Sequence, residues 1–102
     1  MTMVTLINTL AVKPGRIEEF LLLQQQFATT MSGLRPGLVG GRMYRNAAGT
    51  KAVLVSQFES VEAQLATTGS AEFKAHLARM RELVESSSPD GYEVAYTYGA
   101  FS

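Results

Sequence analysis

The sequence predicts one α+β domain spanning residues 1–102, ordered strand, helix, two strands, two helices and a last strand. Three observations predict that class. Short runs of β-branched and aliphatic residues end at glycine- or proline-containing turns. Longer stretches between them carry apolar residues at helical spacing. A chain of 102 residues is too short for two independent cores.

Met3 to Val12 (MVTLINTLAV) is rich in branched aliphatic residues and stops at Lys13-Pro14-Gly15, which reads as a strand and a turn. Val4, Leu6, Leu10 and Val12 fall on one face, and Met3, Ile7 and Ala11 on the other. A strand apolar on both faces is covered on both. From Arg16 to about Leu34 the spacing is helical, gathering Ile17, Phe20, Leu21, Phe27, Ala28 and Met31 on one side. Glu18 and Glu19 suit the positive end of that helix's dipole and face water. Gly33 and Pro36-Gly37 end it.

Leu38 to Asn46 and Lys51 to Glu59 read as a strand pair joined through Ala47-Ala48-Gly49-Thr50, with a bulge or close backbone approach at Gly40-Gly41. Ser60 is the expected N-cap of a short helix from Val61 to Thr67. Ser70 caps a second helix to about Glu85, with Phe73, His76, Leu77, Met80, Leu83 and Val84 on one side. Ser86 to Gly91 reads as a loop. Tyr92 to Phe101 reads as the last strand, with Tyr92, Val94, Tyr96 and Tyr98 sharing a face. The order is that of the ferredoxin-like βαββαβ sandwich, a four-stranded antiparallel sheet with helices on one face. Strands apolar on both faces then call for a second copy of the chain against the open side.

Composition excludes several function classes. Nine basic and nine acidic residues leave no net charge, without the basic excess that phosphate neutralisation needs, so neither nucleic acid nor an anionic membrane is an expected partner. Without cysteine there is no disulfide frame, thiolate metal site or catalytic thiol, and one histidine cannot build a His-rich metal site. No signal segment or apolar run of bilayer length stands out, and a cytoplasmic protein is expected.

Three polar residues interrupt the apolar pattern: Gln24 in the first helix's stripe, His76 in the last helix's stripe, and Asn8 between Leu6 and Leu10. An unpaired buried polar group costs roughly 1–3 kcal/mol, so each must find a partner or face a cavity. In one reading they simply bond to one another or to backbone. In the other they converge on a small-molecule pocket lined by Phe20, Phe27, Phe58, Phe73, Met80 and Tyr96 or Tyr98. Arg42 and Arg45 alternate around Tyr44 and could reach an anionic ligand, but are read as solvated or pairing across a dimer. No nucleophile motif, phosphate-binding glycine loop, carboxylate pair or metal spacing is present.

The chain also resembles the antibiotic biosynthesis monooxygenase (ABM) domain of the dimeric α/β-barrel superfamily. The resemblance rests on Val12-Lys13-Pro14-Gly15, on Arg16-Ile17-Glu18-Glu19-Phe20 and on Arg35-Pro36-Gly37-Leu38-Val39-Gly40-Gly41. Gln57-Phe58-Glu59-Ser60-Val61-Glu62-Ala63 and Ser70-Ala71-Glu72-Phe73 complete it. It implies a homodimer with a ligand cleft between sheet and helices, and a cofactor-free oxygenase of quinols or polycyclic phenols, or a haem-degrading branch. The chain departs from the family at Phe58, where tryptophan is usual, and at Thr67-Thr68 and Glu72, where histidines are common. Of the haem-degrading residues only Asn8 is matched, since Thr67 replaces a tryptophan and His76 is one residue out of place, which argues against haem. What the resemblance implies is a monooxygenase acting on a small aromatic or quinol without a cofactor. His76 would be general base or substrate hydrogen-bond partner, and Asn8 and Gln24 would orient the substrate. The alternative is a non-catalytic binding or structural dimer of the same fold.

Overall fold

In a computed structural model, described over residues 3–34 and 36–101 with the Leu34 side chain left out, the chain forms a four-stranded antiparallel sheet with helices on one face. Arg35, part of one string of the family resemblance, lies outside the described residues. The elements are β1 (Val4–Val12), α1 (Ile17–Leu34), β2 (Leu38–Arg45), β3 (Lys51–Phe58), α2 (Val61–Thr68), α3 (Ala71–Met80) and β4 (Val84–Tyr92). The strand order β2-β3-β1-β4, antiparallel throughout, is that of the ferredoxin-like fold.

Local chemistry sets the boundaries. The β2–β3 hairpin closes on Asn46, whose Oδ1 accepts the N–H groups of Thr50 and Lys51, each at 2.9 Å. Gly49 turns the chain there at φ 71°, a left-handed value that glycine adopts without a steric penalty. Ser60 caps α2 by accepting the Ala63 N–H, and Ser70 caps α3 by accepting that of Phe73, as expected for both serines. The register between β2 and β3 shifts between Leu38 and Gly40, the irregularity that the paired glycines suggest.

The core lies between the sheet's inner face and α1 and α3, joining Leu10, Val12 and Ala52 to Ile17, Phe20, Met80, Leu83 and Val84. Burying side chains of this size supplies roughly 1.5–3 kcal/mol each, enough to seat both helices on the sheet. Ala28, counted with the apolar stripe of α1, is exposed.

The end of the chain differs from expectation. The helix after Ser70 stops at Met80 rather than near Glu85. The Ser-Ser-Ser-Pro-Asp-Gly segment, expected as a loop, is strand β4, and Tyr92 to Phe101, expected as the strand, leaves the sheet after Tyr92 as an exposed arm. Pairing with β1 from Thr5 to Val12 overrides the weak strand propensity of this segment. As an edge strand it tolerates Pro89, which has no N–H to give to a ladder.

Candidate functional site

The helices bring Gln24 and His76 together. Both are buried, and His76 Nε2–H donates to Gln24 Oε1 across 52 residues of sequence. Two polar interruptions on separate helices thus satisfy each other. The His76 ring stacks on Phe27 with centroids 3.9 Å apart and planes within 4°. Phe73 leans on the other aromatic at a centroid distance of 6.0 Å from Phe27.

Burial disfavours the imidazolium, and the Arg79 guanidinium adds repulsion, so the His76 pKa falls from the ordinary 6.5 to about 4. The side chain is therefore neutral near pH 7. Because Nε2 carries the proton given to Gln24, the lone pair sits on Nδ1.

His76 lines a groove of about 270 Å³ between α1 and α3, with Leu23, Gln26, Phe27, Thr30 and Met31 on one wall and Glu72, Ala75, His76 and Arg79 on the other. A second groove of about 300 Å³ continues past the shared residues Leu23, Gln26 and Arg79 to Glu19, Leu22, Glu82 and Leu83. Together they fall within the roughly 300–1,000 Å³ of small-ligand sites. Both grooves run between the two helices, whereas the family resemblance implies a cleft between helices and sheet.

Of the residues singled out from sequence, His76 and Phe27 line the groove, with Gln24 and Phe73 directly behind them. The others are placed elsewhere. Phe20 and Met80 are core residues on the sheet side of the helices, because the middle of each stripe faces the sheet. Phe58 is buried in the sheet beside Val4 and Leu38. Asn8 Oδ1 accepts the Ser88 N–H at 3.1 Å, fastening β4 to β1 next to Pro89. Tyr96, on the arm, is 79% exposed. Arg45, read as solvated or pairing across a dimer, pairs within the chain with Glu18 at 2.9 Å.

Gln26, Thr30, Glu72, Ala75 and Arg79 were missed, although a signal existed. Leu23, Gln26, Phe27 and Thr30 on α1, and Glu72, Ala75, His76 and Arg79 on α3, share the spacing i, i+3, i+4, i+7. Each set is a helix flank beside the apolar stripe, where two helices seated on one sheet face each other. Among the described residues no three metal-ligating side chains cluster, and Thr67 Oγ1 is buried without a hydrogen-bond partner.

The structure is a ferredoxin-like domain with a partly apolar groove between α1 and α3, at which the buried His76 lies. The chain belongs to the antibiotic biosynthesis monooxygenase family, whose model matches residues 3–79. No match is found among curated proteins. Among solved structures it is similar to SnoaB, a cofactor-independent oxygenase from Streptomyces nogalater, with a TM-score of 0.85 and 20% identity over 95% of this chain and 97% of that one. It is also similar to a candidate antibiotic biosynthesis monooxygenase from Nitrosomonas europaea, with a TM-score of 0.80 and 19% identity over 95% and 94% of the two chains. A conserved protein from Methanosarcina mazei matches with a TM-score of 0.80 and 15% identity over 91% and 93%. At these identities the likeness is one of fold.

Proposed function

We propose that this protein is a cytoplasmic homodimer that binds a small aromatic or quinol-type molecule in the groove between α1 and α3 and oxidises it with dioxygen, without a cofactor. The observation that carries this reading is His76: neutral, fixed by Gln24, stacked on Phe27 and facing the groove. Family membership supports the same class of chemistry.

In such a reaction the substrate is the reductant. Loss of its O–H proton to Nδ1 of His76 leaves an electron-rich anion, which passes an electron to dioxygen. The two radicals then join as a peroxide on a ring C–H carbon. His76 returns the proton to that peroxide, and loss of water breaks the O–O and C–H bonds, leaving one oxygen in a quinone carbonyl and the other in the water. The low pKa keeps His76 unprotonated before the substrate arrives. The anion left beside the ring then raises the proton affinity of Nδ1, since an opposite charge at contact distance favours imidazolium. Leu23, Phe27 and Met31 supply an apolar wall for a planar substrate and exclude water from the anion. Asn8 bonds β4 rather than facing this groove, so orientation falls to Gln24 acting through His76.

One observation favours the alternative of a non-catalytic binding dimer: Gln24 and His76 already satisfy each other, as two structural residues would. The deciding measurement is oxygen uptake by chelator-treated protein with a panel of quinols, with His76→Ala alongside. The oxygenase reading expects uptake by the native protein, cut roughly 10²-fold or more in the variant. Ligand-induced thermal stabilisation with no uptake across the panel would establish the binding module instead.

A further inference from the structure

The two grooves meet at Leu23, Gln26 and Arg79, the residues they share. α1 and α3 run in opposite directions along them. Glu19 and Leu22 stand with Glu82 and Leu83 at one end, and Phe27 stacks on His76 nearer the other. Arg79 follows His76 by three residues on α3, one turn further along the same wall, which sets their Cβ atoms about 5–6 Å apart.

Charge along the grooves is uneven. Among the described residues Arg79 is the one cation lining either groove, and it makes no ion pair among them. Of the acids, Glu19 is bonded to Arg16 at 3.0 Å, and Glu82 acts on the same guanidinium. Glu72 lies one turn from His76 on the side away from Arg79. The junction of the grooves therefore carries the positive charge, beside Leu23, and Gln26 offers an amide donor from the facing helix.

We infer that this junction is an anion subsite and that the molecule taken by the groove is an aromatic acid, its phenolic O–H at His76 and its carboxylate on Arg79 and Gln26. The inference rests on the phenol- or quinol-binding groove proposed above and names the class of its substrate. A guanidinium presents two parallel N–H groups that match the two oxygens of a carboxylate. A carboxylate set on the ring, or one carbon off it, reaches one helical turn along the groove while the ring stays on Phe27. The chemistry gains from the same contact. Arg79 repels a proton on His76, and a carboxylate bound to Arg79 offsets that repulsion when the substrate is in place. A neutral phenol leaves it standing.

Calorimetric titration under nitrogen tests this with two hydroquinone acids, gentisate and homogentisate, each against its own methyl ester. The native chain is expected to bind at least one acid about fivefold or more tightly than its ester. Arg79→Gln should abolish that preference, and Arg79→Lys, a point charge without the fork, should keep part of it. Arg79 is exposed, so neither substitution disturbs the core. A second readout comes from His76, the chain's single histidine, whose imidazole protons titrate without overlap in the magnetic resonance spectrum. Its pKa is expected to rise in Arg79→Gln without ligand, and in the native chain to rise more with the acid than with the ester. Acid and ester binding equally to the native chain overturns the anion subsite. A preference that survives Arg79→Gln overturns the role of Arg79. Binding by neither acid overturns the substrate class. Oxygen uptake with neutral quinols would in that case leave the groove's proposed function standing, and no uptake would remove it as well.

Discussion

At the residue scale, the Gln24–His76 pair can be tested without a substrate. His76 has a folded pKa of about 4 against an unfolded value near 6.5. Between those values the unfolded chain binds more protons, so stability rises with pH across the window and is fully present above about 6.5. Acidification from pH 6.5 to 4 should cost up to roughly 3 kcal/mol at this site. The carboxylates titrate in the same window, so the measurement is the difference between native and His76→Gln in urea unfolding at each pH. A difference that does not change with pH would remove His76 as the cause. Gln24→Leu leaves Nε2–H buried without an acceptor, and a loss of about 1–3 kcal/mol is expected. Adding His76→Phe should recover part of that loss, because neither partner then remains to be satisfied. Full additivity in that double variant would show that the two side chains do not interact. Both residues were legible as polar interruptions of a 3.6-residue pattern, and a bond between them was one of two readings left open, because periodicity gives faces and not inter-helix register.

At the element scale, glycines separate backbone geometry from packing. A Cβ on Gly41 would run into the Val55 carbonyl oxygen, an atom fixed in the β2–β3 ladder, so β2 itself would have to move. Gly41→Ala is expected to destabilise by about 2 kcal/mol or more. A Cβ on Gly33, in α1, meets nothing within 4 Å among the described residues, and Gly33→Ala should stabilise by roughly 0.5–1 kcal/mol through helix propensity. Thermal melts of the two variants are expected to move in opposite directions, and a destabilised Gly33→Ala would show that propensity does not decide at that turn. The paired glycines of β2 and the serine caps of α2 and α3 could be read from sequence because each acts within a few residues. β4 could not. Its strand character comes from a ladder with β1, about 80 residues earlier, against a local composition of serine, proline, aspartate and glycine. The tyrosine-rich run after it has the better strand propensity and no strand partner among the described residues.

At the scale of the whole molecule, a chain only 21 Å thick along its short axis is one sheet with one helix layer. Ile7, Val53 and Val55 lie on the sheet face that layer does not cover. That uncovered face was foreseen from strands apolar on both sides, since amphipathic alternation fails visibly in a sequence. Which residues meet across it depends on the strand registers, which a sequence does not print. If a second copy covers the face, unfolding includes dissociation, and stability depends on concentration by mass action. Raising the protein concentration 100-fold should then raise the melting temperature of the native chain by roughly 5 °C. Val55→Glu, which sets a charge in the middle of that face, should flatten that dependence. A melting temperature independent of concentration in the native chain would mean that the protomer unfolds alone and that its apolar sheet face is left to water.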